Sequence, residues 1–287
     1  MILVFGGTTE GKEVAEMLDF LGEPFYYSTK TKVSTEVTGK RISGAMDQEQ
    51  MIAFCKENAI RLIIDAAHPF ATQLHENIFR ASVNTEIPVI RFERNYPAIS
   101  VSPLIKVFSS FPEMTDALQN NSFKNILALT GVQTIPWFKS LKPSMHCYFR
   151  ILDSGQSIQM AHSFGIPDEY IIPAQPNSNT DELIALVNQT KAEVILTKES
   201  GDSGFFPAKV EVSEKLNIPL WIVSRPSLPS FTYTICSQKE LLKLIYRLKK
   251  KRSENRNRIA DRLYHGDLCY SLCKSLLCDH NRTKISI

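Results

Sequence analysis

The chain has 287 residues, 43% hydrophobic and 22% charged, with 33 Lys and Arg against 30 Asp and Glu for a net charge of +3. That length allows two domains of roughly 150 residues each, and no apolar run approaches the ~20 residues of a membrane span, which argues against an integral membrane protein. Residues 247–287 hold 11 basic and 4 acidic side chains, leaving 22 and 26 in the body, so a general nucleic-acid-binding surface on the body is not expected.

In chain order, Met1–Phe5 is a short apolar run that stops at Gly6-Gly7, and Val14, Met17, Leu18 and Leu21 then repeat with helical spacing. The unit reads strand, glycine turn, helix. Further strands are predicted at 24–28, 61–65 and 87–91, with a helix over 70–84. Leu62-Ile63-Ile64 is unbroken apolar sequence, as in a parallel sheet covered on both faces. The pattern lapses at 95–104 around Pro97 and Pro103, and the domain boundary is placed there. The alternation then resumes, with strands predicted at 105–108, 125–129, 146–151, 169–172, 193–197 and 219–223. Helix faces are marked by Leu183, Leu186 and Val187, by Val210–Leu216, and by Leu241, Leu244, Ile245 and Leu248. The reading is α/β with mainly parallel sheets: a dinucleotide-binding region at 1–100, a second α/β region at 101–248, and a basic tail at 249–287.

Gly6-Gly7-Thr8-Thr9-Glu10-Gly11 sits where a dinucleotide-binding domain places its phosphate loop. The middle glycine of G-x-G-x-x-G is replaced by Thr8, so the residues are read either as a nucleotide loop or as a tight structural turn. The second strand ends in Ser28-Thr29-Lys30-Thr31-Lys32, with hydroxyls, two cations and no carboxylate. Ser28 and Lys30 there fit a 2′-phosphate, hence NADPH with NADH as the alternative; the competing reading is a solvated loop. Asp65-Ala66-Ala67-His68-Pro69-Phe70-Ala71 follows a buried strand at the edge where open α/β sheets bind ligands. His68 there could position a substrate or donate a proton; helix capping is the structural alternative, and His75 reads as an ordinary helix-surface residue. Arg91 and Arg94 could clamp carboxylates, or Arg91 could pair with Glu93 at the surface. Lys198, Ser200 and Lys209 around Gly201 and Gly204 form an anion-type loop, and Arg225 ends the 219–223 strand.

These motifs, in this order over residues 1–228, resemble the precorrin-6A reductases of cobalamin biosynthesis, including the cobalt-precorrin-6A reductases. The resemblance implies two Rossmann-like domains with an active-site cleft between them. It implies reduction of one macrocycle double bond of (cobalt-)precorrin-6A to (cobalt-)precorrin-6B by a nicotinamide nucleotide. Carried over, Gly6, Gly7, Thr8, Glu10 and Gly11 would hold the cofactor, and His68, Arg91, Arg94, Lys198, Ser200, Lys209 and Arg225 would line the substrate side. The partner is then a small-molecule tetrapyrrole, with no nucleic acid, membrane or metal. The stretch Asp202–Pro207 is less glycine-rich than in many relatives, which leaves its contacts undefined. The residue-level alternative is a non-redox nucleotide- or polyanion-binding α/β module.

Six cysteines at 55, 147, 236, 269, 273 and 278 are too irregular for a disulfide framework, and no signal-like segment precedes the first strand, so the expected location is the cytoplasm. Cys269, Cys273 and Cys278 with His265 and His280 lack the CxxC spacing of common zinc sites, and the tail is read as lying outside the catalytic unit.

Overall fold

The first apolar run becomes β1 (Ile2–Phe5), buried along its length because strands pair on both of its edges. The structure is a computed structural model and describes residues 1–31, 37–99, 102–251 and 254. After β1 come α1 (Thr9–Phe20), β2 (Phe25–Thr29), β3 (Lys40–Ser43), α2 (Gln48–Glu57), β4 (Leu62–Asp65), α3 (Thr72–Thr85) and β5 (Val89–Phe92). Local chemistry sets the boundaries. Thr8, in extended conformation, caps α1 by accepting from the Gly11 N–H, and Asp47 and Gln50 form a reciprocal capping box on α2.

The chain then builds a second series: β6 (Ile105–Phe108), α4 (Phe111–Gln119), β7 (Asn125–Ala128), β8 (His146–Ile151), α5 (Gly155–Ser163), β9 (Ile171–Pro173), α6 (Thr180–Thr190), β10 (Val194–Lys198), α7 (Phe206–Leu216) and β11 (Leu220–Val223). A last strand, β12 (Tyr233–Ile235), follows. The strands form two six-stranded sheets, ordered β12-β5-β4-β1-β2-β3 and β6-β11-β10-β7-β8-β9, and every pairing is parallel. The expected α/β class with parallel sheets is what is found. Residues 233–235, which sequence reading left within the 101–248 stretch without a strand, complete the first sheet by pairing with β5. Residues 1–236 make up one compact unit.

In each sheet the chain runs outward to one side and then returns to start the other. In the first, β2 and β3 lie on one flank of β1, while β4 and β5 lie on the other; in the second, β7 and β10 are the corresponding central pair. Each switch point opens a crevice at the carboxyl ends of its two central strands. Alternate side chains face opposite layers: Ile126, Ala128, Leu196 and Trp221 pack on one side of the second sheet, Leu127, Ile195, Leu220 and Ile222 on the other. A fully buried Leu or Ile contributes about 1.5–3 kcal/mol. An exposed i,i+4 pair such as Arg80–Glu76 contributes about 0.3–0.5, so the apolar layers hold the fold.

Five elements lie outside the sequence reading. In α2 only Met51 and Cys55 are buried, β3 is exposed, and β12 has three residues, so none presents a strong apolar period. In α4 and α5 the buried stripes are short or include Thr115 and Ser157. The unit beginning at Ser237 has helical residues 238–251, with Leu241, Leu244 and Ile245 buried and Ser237 accepting from the Glu240 N–H. Lys32 and the histidines and cysteines of the tail lie outside the described residues. Among the described residues no helix is long and apolar enough to cross a membrane.

Candidate functional site

At the first switch point the loop after β1 meets the loop after β4, and the Thr8 hydroxyl donates to the Ala66 main-chain oxygen at 2.7 Å, tying the two together. Gly7 has φ +91°, a left-handed conformation that favours glycine, and a Cβ there would meet only Thr29 at 3.7 Å, so its outer face is open. Gly6 and Gly11 are closed in instead. A Cβ on Gly11 would lie 2.7 Å from Gly6 Cα and 2.9 Å from the Tyr27 hydroxyl, and one on Gly6 would enter the Tyr27 ring. Tyr27, on β2, accepts from the Gly7 N–H at 3.0 Å and so braces the loop from below. Burial pushes its hydroxyl pKa up, against the opposing effect of that hydrogen bond. The N–H groups of Thr9 and Glu10 in the first turn of α1 have no acceptor within the helix.

Above this loop is a cleft of about 600 Å³ whose walls include Gly6, Gly7 and Thr8, then Ser28, Thr29, Lys30 and Thr31, then Ala67, His68 and Phe70, with Gln133 from the second series. Among the described residues no carboxylate lines it and Lys30 is its one cation. Of the seven residues expected to hold a cofactor, Gly6, Gly7, Thr8, Ser28 and Lys30 line the cleft. Gly11 does not; its part is the close packing of α1 against the loop. Glu10 does not either: its carboxylate is buried and turned to the other side, accepting from the Ser203 hydroxyl and lying 3.2 Å from Arg94 Nε. Neither Glu10 Oε2 nor Arg94 Nε has an aligned hydrogen-bond partner, so this contact is an ion pair without a hydrogen bond.

The Ala66–Phe70 loop is built on a buried polar group. Asp65 and His75 are 0% and Arg91 1% exposed. Asp65 accepts from Arg91 at 3.0 Å and from the Ala67 N–H at 3.1 Å, and its other oxygen is 2.7 Å from His75 Nδ1. Arg91 also donates to the Ala67 oxygen at 2.9 Å, and His75 Nε2 to the His68 oxygen at 3.0 Å. The surface reading of His75 is therefore corrected: it stands three residues before Ile78 and six before Ala81 on the buried stripe of α3, a spacing visible in the sequence. Arg91 does pair with Glu93, at 3.2 Å, but within the interior, and its guanidinium is committed to protein atoms rather than free as a carboxylate clamp. Burial pushes Glu93 up, but Arg91, the Arg94 N–H and Tyr96 hold it below the usual carboxylate value.

His68 itself is half-buried beside Phe70. Its Nδ1 accepts from the Phe70 N–H at 3.2 Å, which places the proton of the neutral ring on Nε2. Burial first, then the charges of Lys198, Arg94, Arg91 and His75, push its pKa down to about 2. Lys198 leaves β10 with its Nζ 5.1 Å from the centre of the Phe70 ring, so it stands across the crevice from the first sheet's loop. Burial and Arg94 lower it to about 8.

After β10, Gly201 (φ +69°) turns the chain so closely against the 93–96 segment that a Cβ would lie 2.7 Å from the Asn95 oxygen. Arg94 donates to the Ser200 oxygen at 2.8 Å, and Asn95 to the Asp202 carboxylate at 2.7 Å. Lys209, buried in the first turn of α7, donates to the Gly204 oxygen at 3.0 Å and the Ser200 hydroxyl at 3.3 Å. Burial, Arg150, Lys198 and Arg94 lower its pKa to about 7. Arg225 lies apart from this group, with its guanidinium 3.7 Å from the centre of the Tyr96 ring and 3.8 Å from Glu199. Arg94, Lys198, Ser200 and Lys209 thus come together, while Arg91 lies beneath and Arg225 at the margin. Tyr27, Phe70, Tyr96 and Ser203 contribute as well: Phe70 and Ser203 stand in stretches the sequence singles out, but none of the four is given a role by its local pattern.

Two doubly wound parallel sheets, a glycine loop over a cleft that no described carboxylate lines at one switch point and a cation group at the other define an α/β protein of the two-Rossmann type. The chain matches the precorrin-6x reductase CbiJ/CobK family over residues 1–245. It is 30% identical over 236 residues to the cobalt-precorrin-6A reductase of Methanothermobacter thermautotrophicus, covering 78% of this chain and 76% of that one. Against the cobalt-precorrin-6A reductase of Priestia megaterium it is 28% identical over 240 residues, 79% and 91% of the two chains. A solved CobK precorrin-6A reductase structure superposes with a TM-score of 0.73 at 19% identity, over 86% of this chain and 96% of that one, and shares the fold. The chain belongs to the precorrin-6x reductase CbiJ/CobK family, the reductases of precorrin-6A and cobalt-precorrin-6A in cobalamin biosynthesis.

Proposed function

We propose that this chain reduces one double bond of precorrin-6A or cobalt-precorrin-6A with NADPH, in the cytoplasm, with the nucleotide in the cleft of the first sheet and the macrocycle against the cations of the second. The observation that carries the cofactor assignment is the lining of the cleft: an open Gly7 beside Thr8, the hydroxyls of Ser28, Thr29 and Thr31, Lys30 and, among the described residues, no carboxylate. An acidic residue at the end of β2 would select a free 2′-hydroxyl; a lysine among hydroxyls suits a 2′-phosphate. Bound there, the nicotinamide nucleotide supplies the hydride.

The protein's own work is binding and orientation. Thr8 and Tyr27 fix the phosphate loop. The Asp65, His75 and Arg91 group fixes the Ala66–Phe70 loop and with it His68, whose neutral ring offers an Nε2–H donor at the cleft wall. Of the two roles expected for His68, its low pKa supports positioning rather than proton donation. Lys198 and Arg94 face the carboxylates of the substrate, with Ser200 shaping the loop between them and Lys209 adding charge from beneath. Arg225 extends the cation surface outward along Tyr96.

Anaerobic assay of the purified protein with precorrin-6A and with its cobalt form, following oxidation of NADPH and of NADH separately, tests the reading. Turnover of either tetrapyrrole with NADPH preferred is expected. Nucleotide binding without oxidation in the presence of both tetrapyrroles would favour the non-redox module instead.

A further inference from the structure

Arg150 is the penultimate residue of β8, next to the central strand β7 of the second switch point, and has no place in the motifs of the sequence. In register, Phe149 pairs with Ala128, and Ala128 with Leu196, so Arg150 stands level with Leu129 and Thr197 at the carboxyl edge of the sheet. Phe149 and Ile151 on either side of it face the layer containing Phe111 and Phe138. By strand alternation Arg150 faces the opposite layer, the one that holds α7 and Lys209.

Its surroundings are unusual for a half-buried guanidinium. Among the described residues the Arg150 side chain makes no hydrogen bond and no ion pair, and burial pushes its pKa down with no acidic side chain opposing. Its nitrogens are not sealed off, because the wholly buried side-chain atoms that lack a partner are confined, among the described residues, to Glu10 Oε2 and Arg94 Nε. Across the layer, Arg150 is the foremost charge acting on Lys209, followed by Lys198 and Arg94, and no carboxylate counters them there. The acids nearby are already engaged, Glu10 by Arg94 and Ser203, Glu199 by Arg225, and Asp202 by Asn95. Lys209 also lies in the first turn of α7, where the helix dipole already favours an anion. A surplus of partly buried positive charge with one open, forked donor is costly unless an anion from outside completes it.

We propose that Arg150 is a specificity-determining residue that receives one side-chain carboxylate of the tetrapyrrole, in a subsite whose field Lys209 reinforces from beneath. This rests on the reductase reading above. The guanidinium fork would take the carboxylate in two parallel hydrogen bonds, and anchoring one acetate or propionate at the edge of the second sheet would add binding that the bound substrate and the transition state share, so that it sets affinity for rings bearing that carboxylate.

The test uses the full chain. Arg150→Met keeps the aliphatic stem and removes the fork, and is expected to raise KM for the tetrapyrrole at least tenfold with kcat within twofold and the NADPH dissociation constant unchanged. Arg150→Lys, which keeps the charge, should raise KM three- to fivefold. An absorption titration of the tetrapyrrole without nucleotide should show the same losses. Unchanged KM and unchanged tetrapyrrole affinity in the methionine variant would overturn the proposal, as would a fall in kcat at constant KM. Should the methionine variant fail to fold, the lysine variant decides by itself: wild-type KM and affinity overturn the subsite. If the wild-type protein oxidises NADPH with neither tetrapyrrole, the reductase reading fails; if it turns over and the variants match it, the Arg150 subsite alone fails.

Discussion

His75 Nε2 lies 3.0 Å from the main-chain oxygen of His68, so a histidine in the middle of a helix holds the loop that presents another histidine to the cleft. His75 is in turn anchored at 2.7 Å by Asp65, which Arg91 grips from the far side. Removing one member of a buried charged group leaves the others uncompensated, typically costing about 3–5 kcal/mol. Asp65→Ala is expected to lose stability of that order by urea denaturation. His75→Gln keeps a donor at reduced reach and should cost about 1–3 kcal/mol, with a measurable loss of kcat as His68 shifts.

Gly11→Ala puts a methyl group 2.7 Å from Gly6 Cα. Because the obstacle is backbone rather than a flexible side chain, the glycine loop must move. The expected result is NADPH affinity reduced tenfold or more, together with about 1–3 kcal/mol of stability, the usual cost of overpacking. Gly7→Ala meets only an ordinary contact with Thr29 but a φ of +91°, so backbone strain of roughly 1–2 kcal/mol is expected without the same steric displacement. Nucleotide titration by fluorescence, alongside thermal melts, separates the two.

Lys30 is exposed in a cleft that no described carboxylate lines. Lys30→Ala is expected to weaken NADPH about tenfold, equivalent to about 1.4 kcal/mol, and NADH less than twofold. Equal losses for both nucleotides would remove the 2′-phosphate assignment.

Lys209 and Lys198 are held down to about 7 and about 8, chiefly by burial, with Arg150 from β8 and Arg94 from the 93–96 segment adding to it. Both are cationic at pH 6 and lose charge as pH rises through those values. KM for a polycarboxylate should therefore increase between pH 6 and 9. Stability moves the other way. The unfolded lysines, at about 10.4, bind more protons than the folded ones between roughly pH 7 and 10, so these groups make unfolding harder as pH rises through that window. Tetrapyrrole titrations and urea melts at pH 6.5 and 9 should show the opposing trends.

Much of the fold was legible because parallel strands buried on both faces read as continuous apolar runs: Ile2–Phe5, Leu62–Ile64 and Leu220–Val223 are strands in the structure. The loops at the switch points were legible for a related reason, since glycines and charges interrupt those runs at their carboxyl ends. What escaped was organisation across the sheet. Nothing in Phe25–Thr29 marks Tyr27 as the residue beneath the glycine loop; that follows from its register with Val4. Glu10 reads as part of a nucleotide motif, yet its side chain turns toward Ser203, nearly two hundred residues away. Arg91 reads as a clamp at a strand end, but a parallel neighbour, β4, places Asp65 directly beside it. Such pairings depend on which strands become neighbours, and local spacing carries no record of that.

The pairing of β12 with β5 has a consequence for how the molecule can be divided. The chain passes into the second sheet after Phe92 and comes back to the first at Tyr233, so the second sheet is an insertion held at both of its ends. Any opening of the crevice must bend two tethers together, which permits a hinge and resists a swivel. It also means that no single cut yields two whole halves: a fragment ending near residue 100 would leave the outer edge of β5 unpaired, a bare strand offered to any passing copy.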